Sequence, residues 1–158
     1  CVHPGDFRRL ADAYREIGEP LRAAKLLWPL TADRTNPRAL DDQAELARLY
    51  MAMQEYDKSL RLLDDLVRRS PKNATWHNDR GVVLILLDRK VEATAELRLS
   101  LARDPGFLSA ALSLGTLLSS TGRGREARDV YDRALARNDS DDHATREKIV
   151  VERGLIAQ

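Results

Sequence analysis

Three series of residues in this chain return at one interval, and that periodicity restricts the fold more than any single motif, because every interval must then build the same unit. A small residue stands three before a Tyr or Leu at Ala11/Tyr14, Ala47/Tyr50, Gly81/Leu84 and Gly115/Leu118, at intervals of 36, 34 and 34. A second pairing, a small residue four before a large apolar one, falls at Ala23/Leu27, Ser59/Leu63, Ala93/Leu97 and Ala127/Tyr131, at the same intervals. Pro37, Pro71 and Pro105 follow one another by 34, and Asp139 stands where a fourth proline would fall. An interval of this length holds two helices. The small residues suit their close crossing, and the large apolar ones fill the space beside it. Helix pairs are predicted near 6–34, 38–69, 73–103 and 107–137, with repeats over about 4–36, 38–71, 72–105 and 106–139 of one domain spanning 1–158.

The punctuation agrees. Gly18 and Gly122 fall between the two helices of their pairs, and Asn36, Ser70 and Asp104 each precede a proline that stops one helix or opens the next. The first repeat is two residues longer than the others, with the extra pair between Leu27 and Pro37. Pro29 lies in the same stretch and is predicted to kink or shorten the second helix. The tail over about 141–156 lacks the Gly and Ala spacing but keeps Ile149, Val150, Leu155 and Ile156, and is predicted to be a capping helix over the last repeat.

These residues resemble the tetratricopeptide repeat family, whose unit of about 34 residues carries Leu-Gly-x-x-Tyr, then Ala-x-x-x-Phe, then Pro. The resemblance runs from about Phe7 to Asp139. Arg80 replaces the usual Leu, and Leu84 and Leu118 replace the Tyr. It implies an all-α fold: a right-handed superhelical solenoid of four helical hairpins plus the C-terminal capping helix. It also implies a concave groove, lined by the first helix of each repeat, that holds a partner protein or peptide. The matching groove positions are Arg8, Asp12 and Arg15, then Ala44, Arg48 and Met51, then Asn78, Val82, Ile85 and Leu86, then Leu112, Thr116 and Ser119. The first half of that set is charged and the second apolar or small. Val83, Leu84 and Leu87 are expected to turn toward neighbouring helices. Chaperone-binding members clamp a C-terminal carboxylate with Lys, Asn and Arg. The corresponding positions here, Arg8, Asp12, Glu45, Thr75 and Asp79, do not reproduce that pattern.

Composition narrows the function. With 26 basic and 25 acidic residues there is no strong net field to draw nucleic acid, so no nucleic-acid partner is expected. No phosphate-binding Gly-rich loop, zinc-protease His-Glu pair or acidic calcium loop occurs. His3, His77 and His143 fall in separate repeats and are not expected to converge on a metal. No cofactor and no catalytic residue is expected. Asp139, Asp141 and Asp142 beside His143 read as helix-capping carboxylates, and the sequons at Asn73 and Asn138 read as inter-repeat turn residues.

The single cysteine is Cys1. Bacterial lipoproteins begin, after processing, with an acylated cysteine; if Cys1 is one, the chain resembles the repeat-containing lipoproteins that assist pilus or secretion-pore assembly, a likeness carried by the stretch from Asn78-Asp79-Arg80-Gly81-Val82-Val83-Leu84 through Ala93. Lipidation at Cys1 would be its only route to a membrane and would place it in the bacterial envelope, facing the periplasm. If Cys1 is simply where a fragment starts, the location is cytoplasmic. Three functions follow: a protein-binding scaffold, an accessory module of a larger enzyme, or a structural protein that assembles with its own copies through the apolar groove or the terminal helix.

Overall fold

The computed structural model describes residues 4–32, 36–138 and 142–156. Among the described residues there are nine helices and no strand: α1 (Pro4–Glu16), α2 (Pro20–Ala32), α3 (Ala39–Ala52), α4 (Tyr56–Arg69), α5 (Ala74–Leu86), α6 (Lys90–Arg103), α7 (Leu108–Ser120), α8 (Gly124–Arg137) and α9 (His143–Leu155). They divide into two compact units, Cys1–Ser70 and Pro71–Gln158.

One turn is used four times. Gly18, Gln54, Asp88 and Gly122 all take the left-handed conformation, with φ of 77°, 61°, 58° and 79°. In each case the next residue's amide reaches back to the helix just ended: Glu19 to Tyr14, Glu55 to Tyr50, Arg89 to Leu84 and Arg123 to Leu118, at 2.8 or 2.9 Å. This is the Schellman arrangement, which satisfies carbonyls that the helix end leaves open.

In the first unit α1 packs on α2, α2 on α3 and α3 on α4. Ala11, Ala23, Ala24, Leu27, Leu30, Leu46 and Leu49 form one core cluster. Ser59 of α4 donates to the Ala47 carbonyl of α3 at 2.7 Å, a bond that only small residues at this crossing permit. A kink or shortening is expected at Pro29, but the proline does not end the helix: α2 runs on through it to Ala32. Pro29 and Lys25 both lie on the exposed side, so the carbonyl that loses its helical partner can be met by water. Residues 33–35, part of the stretch expected to hold the two-residue extension, lie outside the described residues.

In the second unit α5 pairs with α6 and α7 with α8, while α7 also touches α5, α6 and α9. The crossings are tight where the sequence places glycine. A Cβ on Gly81 would stand 2.7 Å from Leu97 Cγ, and one on Gly115 only 2.2 Å from the Tyr131 ring. Asn73 caps α5 through the Trp76 amide, and Asp142 caps α9 through the Thr145 amide. Asn138 donates to the Gly106 carbonyl at 2.9 Å. Asp139 and Asp141 lie outside the described residues. Helix α9 rests on α7 and α8, with Ile149 buried and Arg153 paired to Asp132 at 2.7 Å. Of the apolar residues that the tail keeps, Ile149 is buried, whereas Val150 and Leu155 face solvent. A helix supported along one side buries only one stripe, here the one through Ile149.

Candidate protein-binding groove

Helices α5 and α7, the first helices of two successive hairpins, approach each other along one side. Helical spacing puts Val82, Ile85 and Leu86 on one face of α5, and Leu112, Ser113, Thr116, Leu117 and Ser120 on one face of α7. Together with Lys90 these residues line a groove of about 350 Å³. Val82, Ile85 and Leu112 are half-buried, and Leu86 is 46% exposed. Val83 and Leu84, their immediate neighbours in sequence, are fully buried. The apolar run Val82–Leu87 thus serves two faces, a packed one and an open one. Beneath the groove, Thr116 Oγ1 lies 3.4 Å from the hydroxyl of the buried Tyr131, and burial pushes that phenol's pKa up. Lys90 stands at one end, 3.0 Å from Asp88.

The structure therefore brings together Val82, Ile85, Leu86, Leu112 and Thr116 from the set read in the sequence. Ser119 is half-buried on α7 but does not line the groove. Asn78 is buried one turn before Val82. Its Nδ2 lies 3.4 Å from Asp79, and its Oδ1 has no protein partner. Lys90, Ser113, Leu117 and Ser120 were not read from the sequence. The spacing of Ser113, Thr116 and Ser120 on α7 carried the available signal, whereas Leu117, nearly buried, reads as an ordinary core leucine.

The charged positions lie in the first unit and are occupied with one another. Arg8 forks onto buried Asp42, Nε to Oδ1 and Nη2 to Oδ2 each at 2.5 Å, and also donates to Asn36 Oδ1 at 2.9 Å. That fork raises the Arg8 pKa and ties α1 to α3. Arg15 meets Glu45 at 2.5 Å, which raises the Arg15 pKa, and lies 3.4 Å from Asp12. Arg48 approaches the same Glu45 at 3.7 Å. Met51 is half-buried, and Ala44 is buried in the core.

A second polar cluster ties α5 to α6. His77 Nδ1 lies 2.8 Å from Glu96 and its Nε2 3.0 Å from the Pro71 carbonyl, while Arg80 meets the other Glu96 oxygen at 2.5 Å. With a carboxylate and a carbonyl already on its two nitrogens, His77 has neither free for a metal. Among the described residues no three His, Cys, Asp or Glu side chains gather to hold a metal ion, and no helix is long and apolar enough to cross a membrane. Cys1 and His3 lie outside the described residues.

Two family descriptions, both "Tetratricopeptide repeat", match residues 44–106 and 110–142. DnaJ homolog subfamily C member 7 of Homo sapiens is 28% identical over 110 residues, 64% of this chain and 22% of that protein. Cellulose synthase operon protein C of Pseudomonas fluorescens (strain SBW25) is 30% identical over 136 residues, 80% of this chain and 10% of that protein. The chain thus spans less than a quarter of either curated relative. A thermophilic TPR protein of Thermus thermophilus superposes with a TM-score of 0.77 at 26% identity, covering 95% of this chain and 81% of that one. MamA from Desulfovibrio magneticus RS-1 superposes with a TM-score of 0.74 at 15% identity, covering 89% and 78%, which speaks for the shared fold alone.

Proposed function

Because the chain belongs to the tetratricopeptide repeat family, we propose that it is a non-catalytic scaffold that holds a partner protein in the α5/α7 groove, by an apolar helix or extended segment. The observation that carries this reading is the open apolar face of Val82, Ile85, Leu86 and Leu112, set directly beside fully buried Val83 and Leu84. Apolar area that remains in water gains about 25 cal/mol for each Å² a partner covers. Leu86 is exposed, and Val82, Ile85 and Leu112 keep part of their side chains in water, so this is area that a partner could cover. Ser113, Thr116 and Ser120 make the α7 side of the groove partly polar, although the Ser120 hydroxyl already donates to the Leu117 carbonyl and that of Thr116 lies beside Tyr131.

Selection from a displayed random-peptide library tests it. The wild-type chain should enrich apolar sequences, and Ile85→Asp should lose them while its helicity and melting stay close to wild type, because Ile85 is only half-buried and an aspartate there can turn its carboxylate to water. If both Ile85→Asp and Leu112→Asp unfold the protein, these residues are core, since a carboxylate buried without a partner costs several kcal/mol. Binding would then have to be sought on the charged face around Arg8, Arg15 and Arg48. Service to bacterial envelope assembly, with Cys1 as a lipid anchor, is a narrower form of the same reading. It requires fatty-acid labelling in the native host that Cys1→Ser abolishes. A second form, a module within a longer protein, is favoured by the small share of the curated relatives that the chain spans.

A further inference from the structure

The groove does not stop at Lys90. Lys90 and Leu117, which line it, also line a second hollow of about 360 Å³ between the N-terminal half of α6, the C-terminal end of α7 and Arg123. The two differ in chemistry. Lys90 is the one charged residue lining the groove, whereas the hollow adds Arg98 and Arg123 around Val91 and Ala95. Val91 is 86% exposed. The repeats on either side put Asp57 and Arg125 at this position, 34 residues away in each direction, as suits a side chain that stands in water. Here an apolar side chain stands there instead, ringed by three cations.

Charge around the hollow does not balance. Arg123 forks onto Glu126, Nε to Oε1 and Nη2 to Oε2 each at 2.7 Å, and Arg98 Nη2 reaches the same Oε2 at 3.2 Å. Among the described residues neither arginine meets another carboxylate. Lys90 is matched by Asp88, and Arg89 and Glu92 beside it fork onto each other. One positive charge is therefore left over, and among the described residues no Asp or Glu lines the hollow. Arg123 also stands at the positive end of α8, which has no side-chain cap. On α1 and α3, by contrast, Arg15 and Arg48 are met by two carboxylates, Glu45 and Asp12. We propose that the partner segment carries an acidic side chain next to its apolar residues: the apolar ones fill the α5/α7 groove, and the carboxylate reaches past Lys90 to Arg98 and Arg123. The inference rests on the groove as the binding site and adds its selectivity. Arg98 and Arg123 keep 53% and 43% of their side chains exposed, so the carboxylate stays in water and the added affinity is small, about three- to fivefold. Rim charges of this kind choose among apolar segments and steer their approach.

The test extends the displayed-library selection with a pair of peptides. Apolar sequences enriched by the wild type should carry Asp or Glu at one fixed offset. One such peptide, and the same peptide with that acid changed to its amide, are then titrated by fluorescence anisotropy. The wild type should prefer the acidic peptide by about three- to fivefold in low salt and lose most of that preference in high salt. Arg98→Gln/Arg123→Gln should bind both peptides alike, at the affinity of the amide, and Arg98→Lys/Arg123→Lys should keep the preference. If the glutamine pair lowers helicity, Val91→Glu takes its place, since it sets a carboxylate in the hollow from an exposed position and should abolish the preference. Ile85→Asp should lose both peptides, which separates the groove from the hollow. Apolar sequences without a fixed acid, or a preference that survives the glutamine pair, would overturn the inference and leave the groove standing. Failure to enrich apolar sequences at all would overturn both.

Discussion

The helix crossing at Gly115 gives a prediction whose size follows from geometry. A methyl group placed on Gly115 would stand 2.2 Å from Tyr131 Cε1 and Cζ and 2.6 Å from its hydroxyl oxygen. Ordinary carbon contacts lie at roughly 3.5–4.0 Å, so the ring or helix α8 must retreat by more than an ångström. Tyr131 is fully buried, which leaves the ring little room. Overpacking of this sort costs about 1–3 kcal/mol, while Gly→Ala in a helix interior gains about 0.8–1 kcal/mol. An intrusion of more than an ångström against a fully buried ring falls in the upper part of that range, about 2–3 kcal/mol, so Gly115→Ala should lose about 1–2 kcal/mol net, or several degrees of Tm in a chain of this size. Gly154→Ala is the control, since nothing lies within 4 Å of the added carbon and only the helix gain remains. The first two repeats supply a suppressor, because there an alanine stands at the small position and a leucine at the large one: Ala11 with Leu27 and Ala47 with Leu63. Tyr131→Leu alone leaves a cavity and destabilises. Combined with Gly115→Ala it restores the pairing of those repeats, so the double variant should be more stable than the summed losses by about 1 kcal/mol. Urea denaturation of the four variants and wild type measures this. A Gly115→Ala protein as stable as wild type, or strict additivity in the double variant, would refute the packing argument.

Two further perturbations have definite signs. Gln54 holds a left-handed conformation that costs an L-residue about 1–2 kcal/mol, against roughly 0.5–1 kcal/mol of extra chain entropy lost by glycine; Gln54→Gly should raise stability in urea by about 0.5–1 kcal/mol. Asp65 is held below the usual carboxylate range, first by the hydrogen bond from Arg68 and next by that from Gln43. A carboxyl depressed in the folded state contributes stability that is present above its unfolded pKa of about 3.9 and is lost as pH falls through the folded value. Tm of Asp65→Asn should accordingly lie below wild type near neutrality and converge on it in acid, and a difference that stays constant with pH would be against it.

The crossings were legible in the sequence because spacing is itself geometry: a residue four before another on one helix, repeated every 34, can only describe the same face. Gly18 and Gly122 marked the turn openly, whereas Gln54 and Asp88 do the same work under side chains that do not advertise it. What spacing along one helix could not show was pairing between helices. Arg8 finds Asp42, and His77 finds both Glu96 and the Pro71 carbonyl, only because particular helices are neighbours. The same limit applies to the groove, where Lys90 and Leu117 join through the approach of α5 and α7. Whether Pro29 would end its helix was not legible for a different reason: it depends on whether the carbonyl left without a partner faces solvent, and Lys25 and Pro29 are both exposed.

The charged positions on α1 and α3 and the apolar ones on α5 and α7 differ in what they still have to gain. Arg15 and Arg48 share Glu45, and Asp12 lies beside Arg15, so opposite charges on those two helices already meet one another. Exposed pairs of this sort contribute roughly 0–1 kcal/mol to the fold. A partner laid over them must nevertheless strip water from both signs and match each with a new contact, which leaves little net affinity. Val82, Ile85, Leu86 and Leu112 hold no hydrogen bond or ion pair through their side chains, and covering the area they leave open releases water without breaking a bond. One carboxylate at Ile85 reverses that balance: it brings into the groove a charge with the same desolvation cost, and Lys90, the cation that lines the groove, already lies 3.0 Å from Asp88. A single substitution there should therefore weaken an apolar partner more than the removal of Arg15 or Arg48, although both arginines make the closer contacts within the chain.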